Sequence, residues 1–432
     1  MRQRLADKIG DTLVGLWLLV PEHLRLGTWD LLCGWTQQPA VRIEPRLALQ
    51  LVHEAALCVK GIRERRRITY RGFEVLNGLP FLAADTAVHH LLDDHSVAEA
   101  QRLQIALGKI RRASGEYAGK LLVIDPHRPP SYTRRNVRLR RVEEGSKPAK
   151  TAQMFFCLDG DTEQPVCCMI GTSARTVTQA TPELLDMAAR ILDPLPSKAL
   201  VAADNEHYSA ELIDHVHQNT PFDLVVPMAS RPDADRRYRA IPPEQFTPEW
   251  AGYATATLPY TPRGSHAGPY CELVQRQGER PDQWYFNSFL STTDRDPVDA
   301  LTREFPKRWH VEEFFNAHQA LGWRHAGTLN LNIRYGQMTM ALLAQAAIHR
   351  LRGRLGEPYR HWDAEHLANG VFRGLEGDIR VVRDTIVVTY YNAPDRDLLA
   401  SQYEDLPTKL AAEEVDPHIP WLYGLQLDFR FK

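Results

Sequence analysis

Two short apolar runs, each closed by an aspartate, constrain this chain more than anything else in it. Leu121-Leu122-Val123-Ile124 ends on Asp125, and Ala199-Leu200-Val201-Ala202-Ala203 ends on Asp204. Runs of four or five apolar residues are too short for a buried helix and fit strands covered on both faces. Between them, Thr151 to Leu158 and Val166 to Thr172 flank the turn Asp159-Gly160-Asp161 and predict a hairpin. Pro182 to Leu192 predicts an amphipathic helix with proline near its start. Ala210 to His217 predicts another helix, and Asp223 to Val226 a third buried strand. Strand, hairpin, helix, strand, helix, strand is the order of an α/β layer built on a mixed sheet.

The rest of the chain reads differently. Residues 1–118 are helical by apolar periodicity. Within them, Arg71 to Leu76 predicts a short helix closed by Gly78, and Ala84 to Leu92 a second one after the turn Leu79-Pro80-Phe81. That spacing fits a helix-turn-helix with Arg65, Arg66 and Arg67 just upstream to hold phosphates, and it fits an ordinary helical hairpin as well. Ser96-Val97-Ala98-Glu99 is a capping-box signature for a further helix. From Ser230 to about Gln283, Pro, Arg, Gly and Thr become frequent and short alternating stretches predict an inserted β-rich piece. A strand at Trp284 to Leu290 and helices from Pro297 to about Arg350 follow, with Gly322 ending one of them. The expected division is therefore 1–118, 119–229, 230–283, 284–351 and 352–432.

Composition narrows the partner class. A hydrophobic share of 44% and a charged share of 25% are those of a soluble globular protein. The apolar run Leu13 to Val20 is too short to span a bilayer and lacks a secretory cleavage signature, so no membrane role is expected. Six cysteines without a C-x-x-C pair read as reduced thiols of a cytosolic protein. The net charge of −2 hides two basic runs, Lys60 to Arg71 and Arg128 to Lys150, set against an acidic stretch from Asp395 to Asp428. Clustered basic surface in a near-neutral protein is the footprint of a polyanion, although each run alone also reads as a solvated face.

A third acid completes a pattern. Glu312 lies in the helical stretch Arg308-Trp309-His310-Val311-Glu312-Glu313-Phe314-Phe315, four residues after Arg308 and on the same face. Taken singly, a strand-terminal aspartate is an ordinary turn former, and a helical glutamate is an ordinary solvated group. Together, two strand-end aspartates and a glutamate on a partly buried helix can hold a pair of divalent cations for phosphoryl transfer.

These residues resemble the DDE transposases of bacterial insertion sequences, in the branch with a Tyr-x2-Arg-x3-Glu-x6-Lys signature. Phe305, Arg308, Glu312 and Gln319 occupy those places here, so spacing, Arg and Glu are kept and the lysine is lost. His318 and Lys307 are the substitutes at hand. Asp204-Asn205-Glu206-His207-Tyr208 is similar to the family's second-aspartate block, and Val123-Ile124-Asp125 to its first. Across residues 119–350 the resemblance implies an RNase H-like core, a mixed sheet flanked by helices. A β-rich insertion would interrupt it, with a helical N-terminal DNA-binding domain and a mixed C-terminal region on either side.

The resemblance further implies catalysis by Asp125, Asp204 and Glu312 as ligands of two Mg²⁺ ions, with Mn²⁺ as a possible substitute. Its chemistry would be cleavage at transposon ends and strand transfer into target DNA. The partners would be terminal inverted repeats, target DNA and a second copy of the chain, with 352–432 as a possible dimer interface. The place would be the bacterial cytoplasm, at the nucleoid. Arg308 and Lys307 would meet phosphate, Arg134, Arg135 and Arg138 would line the DNA channel, and Trp250 would stack on a flipped base or serve as β-domain core. A domesticated relative that binds without cutting, or a two-metal nuclease without strand transfer, is the alternative.

Other signals are weaker. His89, His90, Asp93, Asp94 and His95 could mimic a metal site, but no second ligand pair stands at zinc-like spacing. No P-loop, G-x-G-x-x-G or hydrolase elbow is present.

Overall fold

A computed structural model of the 432-residue chain describes residues 8–11, 13–39, 41–60, 68, 71–131, 133, 136–137, 139–140, 147–172, 174–229, 231–250, 252–324 and 327–432. The chain forms two compact units. One contains Arg111–Arg128 and Asn136–Phe314, the other Met1–Ile110, Pro129–Arg135 and Phe315–Lys432.

The first unit is built on a nine-stranded sheet. Its strands are β1 Leu121–His127, β2 Gln153–Asp159, β3 Pro165–Gly171, β4 Ala199–Ala203, β5 Phe222–Pro227, β6 Thr247–Trp250, β7 Tyr253–Tyr260, β8 Tyr270–Gln277 and β9 Tyr285–Ser291. They lie side by side in the order β3-β2-β1-β4-β5-β9-β8-β7-β6. β1, β2 and β3 pair antiparallel, whereas β1, β4 and β5 run parallel. Those five strands, in that order and those directions, are an RNase H-like core. Helix α1, Val177–Leu192, leads from β3 to β4, and α2, Ala210–Asn219, leads from β4 to β5. Leu122, Val123, Ile124 and all of β4 are essentially sealed from solvent, which is why both runs are apolar without alternation.

Helix α1 begins five residues earlier than the proline suggests. Thr176 and Gln179 form a capping box that starts it, leaving Pro182 inside the second turn, and the Thr181 hydroxyl bonds back to the Val177 carbonyl at 2.8 Å.

The β-rich insertion continues the core sheet instead of folding as a sheet of its own. β9 returns antiparallel to β5, with Phe289 opposite Pro227 and Ser291 opposite Val225, and β8, β7 and β6 follow outward. The physical gain is that β5 loses an open edge. Helix α3, Pro232–Arg239, covers this extension through a small core of Tyr238, Phe246, Ala254, Ala256, Val274 and Phe286.

Beyond β9, the expected run of helix changes type three times. Residues Ala300–Glu304 are a π turn, Phe305–Trp309 a 3-10 turn, and α4, His310–His318, is α-helical. Pro306 has no N–H to give to the preceding turn, so the ladder has to re-register there.

The second unit joins both ends of the chain. Its five-stranded sheet has the order Ile9–Asp11, Gly377–Val382, Thr385–Tyr390, Leu425–Phe431, His418–Ile419. A 25-residue helix, Leu331–Leu355, runs through its core and packs on Glu44–Ala56 and Asp85–Asp94. Asn330 caps that helix, accepting from the Asn332 and Ile333 amides. The short helices Arg71–Leu76 and Asp85–Asp94 are present with Gly78 between them, and the box at Ser96 and Glu99 is made reciprocally. Arg65, Arg66 and Arg67 lie outside the described residues.

Candidate active site

Three elements of the RNase H-like unit bring the three carboxylates around one guanidinium. Asp125 is the fifth residue of β1, Asp204 follows β4 directly, and Glu312 sits in the first turn of α4. Arg308, on the 3-10 turn before α4, places Nη1 3.8 Å from Asp125 Oδ1 and Nη2 3.7 Å from Glu312 Oε1. Its charge also acts on Asp204. Phe305 meets Phe289 edge-on, Phe314 meets Phe156, and Val311 is sealed, so the segment carrying Arg308 and Glu312 is fixed to the sheet through its apolar side. Trp309 is 56% exposed, so the helix flank is less covered than its aromatic composition suggests.

The two aspartates have opposite electrostatics. Burial drives the Asp125 carboxyl up, Asp204 and Glu312 add to this, and Arg308 and Arg128 only partly oppose it, so it titrates at about 7. Burial acts on Asp204 in the same sense but loses there. The His207 hydrogen bond and charge, the Glu206 amide and Arg308 together hold Asp204 below the usual carboxylate range. Paired acids pushed apart in this way are a mark of functional sites.

The site suits hard divalent cations. Its donors are carboxylate oxygens, and Asp125 is about half protonated at neutrality, first because it is buried and then because Asp204 and Glu312 stand near it with Arg308 and Arg128 as only partial counter-charge. Among the described residues, the His/Asp/Glu group whose ligand atoms all fall within 4.8 Å of one another is a different one, Glu163, His310 and Glu313. There the His310 ring meets the Gly160 carbonyl through Nδ1 at 3.0 Å and faces Glu163 through Nε2 at 3.9 Å.

The other residues singled out in the sequence fall in several places. Lys307 pairs with Asp161 in the β2–β3 turn at 2.5 Å, away from the carboxylates. His318 is buried and its Nε2 accepts from Arg352 at 3.1 Å, so it does not stand in for the missing lysine. Glu304 pairs with Arg295, and among the described residues Arg308 makes its ion pairs with Asp125 and Glu312. Arg134, Arg135 and Arg138 lie outside the described residues, as does the Trp250 side chain; its backbone belongs to β6. In the histidine-rich stretch, Asp93 is used structurally, accepting from Asn330 and Asn332 at the start of the long helix, and the His95 ring meets Trp35 at a tilt.

Two participants were not visible as such in the sequence. His207 donates through Nδ1 to Asp204 at 2.6 Å, and Arg128 forms a two-pronged ion pair with Glu206. The signal for His207 is its position: residues 205–207 form a 3-10 turn, in which side chains three apart eclipse.

No family model matches the chain, and no curated protein does. Seven chains among solved structures match. One is the cryo-EM structure of a piggyBac transposase synaptic complex with hairpin DNA, at a TM-score of 0.44 and 12% identity over 85% of this chain and 82% of that one. A likeness this slight carries no functional weight, and the fold assignment stands on strand order and direction.

Proposed function

We propose that this chain is a metal-dependent DNA phosphoryl-transfer enzyme of the DDE transposase type, cutting at transposon ends and joining them to target DNA. The observation that carries the reading is the convergence of Asp125, Asp204 and Glu312 on Arg308, from β1, β4 and α4 of an RNase H-like sheet. In this reading the three carboxylates hold two Mg²⁺ ions, with Mn²⁺ able to replace them. When bound, such ions supply the Lewis acidity that activates water or a 3′-hydroxyl and stabilises the leaving oxygen. Asp204, held ionised, and Asp125, in its deprotonated form, would offer carboxylate oxygens to such ions together with Glu312.

Arg308 has a second task in this scheme. Without cations it is the counter-charge of the carboxylates; relieved of that role, its planar fork suits a phosphate oxygen pair. Arg65, Arg66, Arg67, Arg134, Arg135 and Arg138 are assigned to the DNA backbone, Trp250 to a displaced base, and 352–432 to the contact between two copies that join two ends. Lys307 can reach DNA only by leaving Asp161.

One observation favours a second reading, a DNA-binding relative that does not cut. Gln319 stands at the lysine position, and both nearby substitutes are engaged elsewhere, His318 with Arg352 and Lys307 with Asp161. Incubation with Mg²⁺ and DNA bearing the inverted repeats that flank the gene separates the readings. Cleaved and joined products support transposition, binding alone supports the second reading, and cleavage without joining indicates a nuclease. Asp204→Asn should abolish cleavage and leave end binding nearly unchanged; retained cleavage would remove Asp204 from the site.

A further inference from the structure

We infer that His207 is a positioning residue that fixes Asp204 as a one-oxygen ligand, an inference that rests on the triad being the metal site. Asp204 closes β4 and caps the 3-10 turn Asn205–His207. Its Oδ1 accepts twice, from the Glu206 amide at 3.0 Å and from His207 Nδ1 at 2.6 Å. Both donors converge on the same oxygen, so the carboxylate cannot rotate without breaking both bonds. Oδ2 carries neither contact and is the oxygen left for a cation.

The His207 side chain is only 2% exposed, which makes this a fixed part of the fold and not a surface pairing. The turn packs against α1 and β5. It is held from the other side too, because Glu206 is gripped by Arg128, three residues beyond Asp125 on the chain. A buried ring donating through Nδ1 therefore sets the rotamer of one acid, while the Arg128–Glu206 pair ties that turn to the strand bearing the other. Outer contacts of this kind typically change metal affinity 10- to 100-fold when removed.

The test is Mn²⁺ binding by the full-length protein, read by electron paramagnetic resonance of the free ion. Binding lost in Asp204→Asn defines the site, so ions held elsewhere, for example at Glu163 and His310, drop out of the comparison. His207→Phe should weaken that binding about 10- to 100-fold. His207→Asn should restore most of it, since its side-chain amide places an N–H close to where Nδ1 stood. In an Asp204→Asn background, His207→Phe should add nothing. Wild-type affinity in folded His207→Phe, or an asparagine variant as weak as the phenylalanine one, overturns the inference while leaving the triad in place. Equal Mn²⁺ binding by wild type and Asp204→Asn overturns the metal assignment and this inference with it.

Discussion

Replacing Asp125 by asparagine should make the metal-free protein more stable while removing its activity. The carboxyl titrates at about 7 in the fold against an ordinary 3.8, so ionising it in place costs more than ionising it in the unfolded chain. Each pH unit of difference is worth about 1.36 kcal/mol, which gives a ceiling of about 4 kcal/mol. Because the folded value is raised, the stabilising proton is fully in place below pH 3.8 and is lost as pH rises through 7. Asparagine never ionises, so its advantage over wild type should be about 4 kcal/mol at pH 8 and shrink to about 2 kcal/mol at pH 5. At about 2–4 °C per kcal/mol for a domain of this size, the shift in Tm at pH 8 is on the order of 10 °C. Calorimetry in EDTA-treated buffer at both pH values is the assay. Mg²⁺ or Mn²⁺ should then raise the wild-type Tm and leave the variant nearly unmoved. An asparagine variant no more stable than wild type at pH 8, or a gap equal at both pH values, would refute the electrostatic argument.

Two further outcomes concern the other unit. His53 is sealed beside His23 and shares a 2.7 Å hydrogen bond with Asn77; burial outweighs that bond and lowers its pKa to about 4. The unfolded chain therefore takes up the proton first, and stability should fall by about 3 kcal/mol between pH 6.5 and 4; urea midpoints across that window should be flatter in His53→Gln, and an unchanged slope would exclude His53 as the cause. Gly78 has φ +68°, and a Cβ there would stand 2.4 Å from the Trp421 carbonyl, so Gly78→Ala should cost at least the ~1–2 kcal/mol of a left-handed alanine, measured by denaturation. A variant as stable as wild type would mean the turn relaxes freely.

Much of the RNase H-like core was legible because its strands are buried on both faces and so appear as unbroken apolar runs. Ala199–Ala203 was readable to the residue for this reason, and Asp125 and Asp204 stood out as the first charges after such runs. Local signals with two partners in sequence, such as Ser96 with Glu99, were equally plain. What escaped was set by long-range pairing or by a competing local rule. Ile9–Asp11 is too short to read as a strand, and only its pairing with Gly377–Ile379 makes it one. Nothing local announces that Phe289 will face Pro227. Pro182 is a weaker start signal than the capping box of Thr176 and Gln179, and the two compete within one turn and a half. Pro306 is the reason that the segment bearing Arg308 is not α-helical. His207 meets Asp204 only once residues 205–207 fold as a 3-10 turn, and a histidine beside a motif carries no sign in sequence of which acid it will face.

The joint between β5 and β9 has a consequence for how such a chain can vary. The polypeptide leaves the core at Pro227 and comes back opposite it at Phe289, so the excursion starts and ends at neighbouring points on one sheet. Cut short, residues 228–288 would reduce to a hairpin, and the strand feeding the segment of Arg308 and Glu312 would still enter in register. Asp125 and Asp204 precede the excursion and Glu312 follows it. Length, strand number and partner preference in that excursion are thus free to drift while the spacing of the three acids stays put.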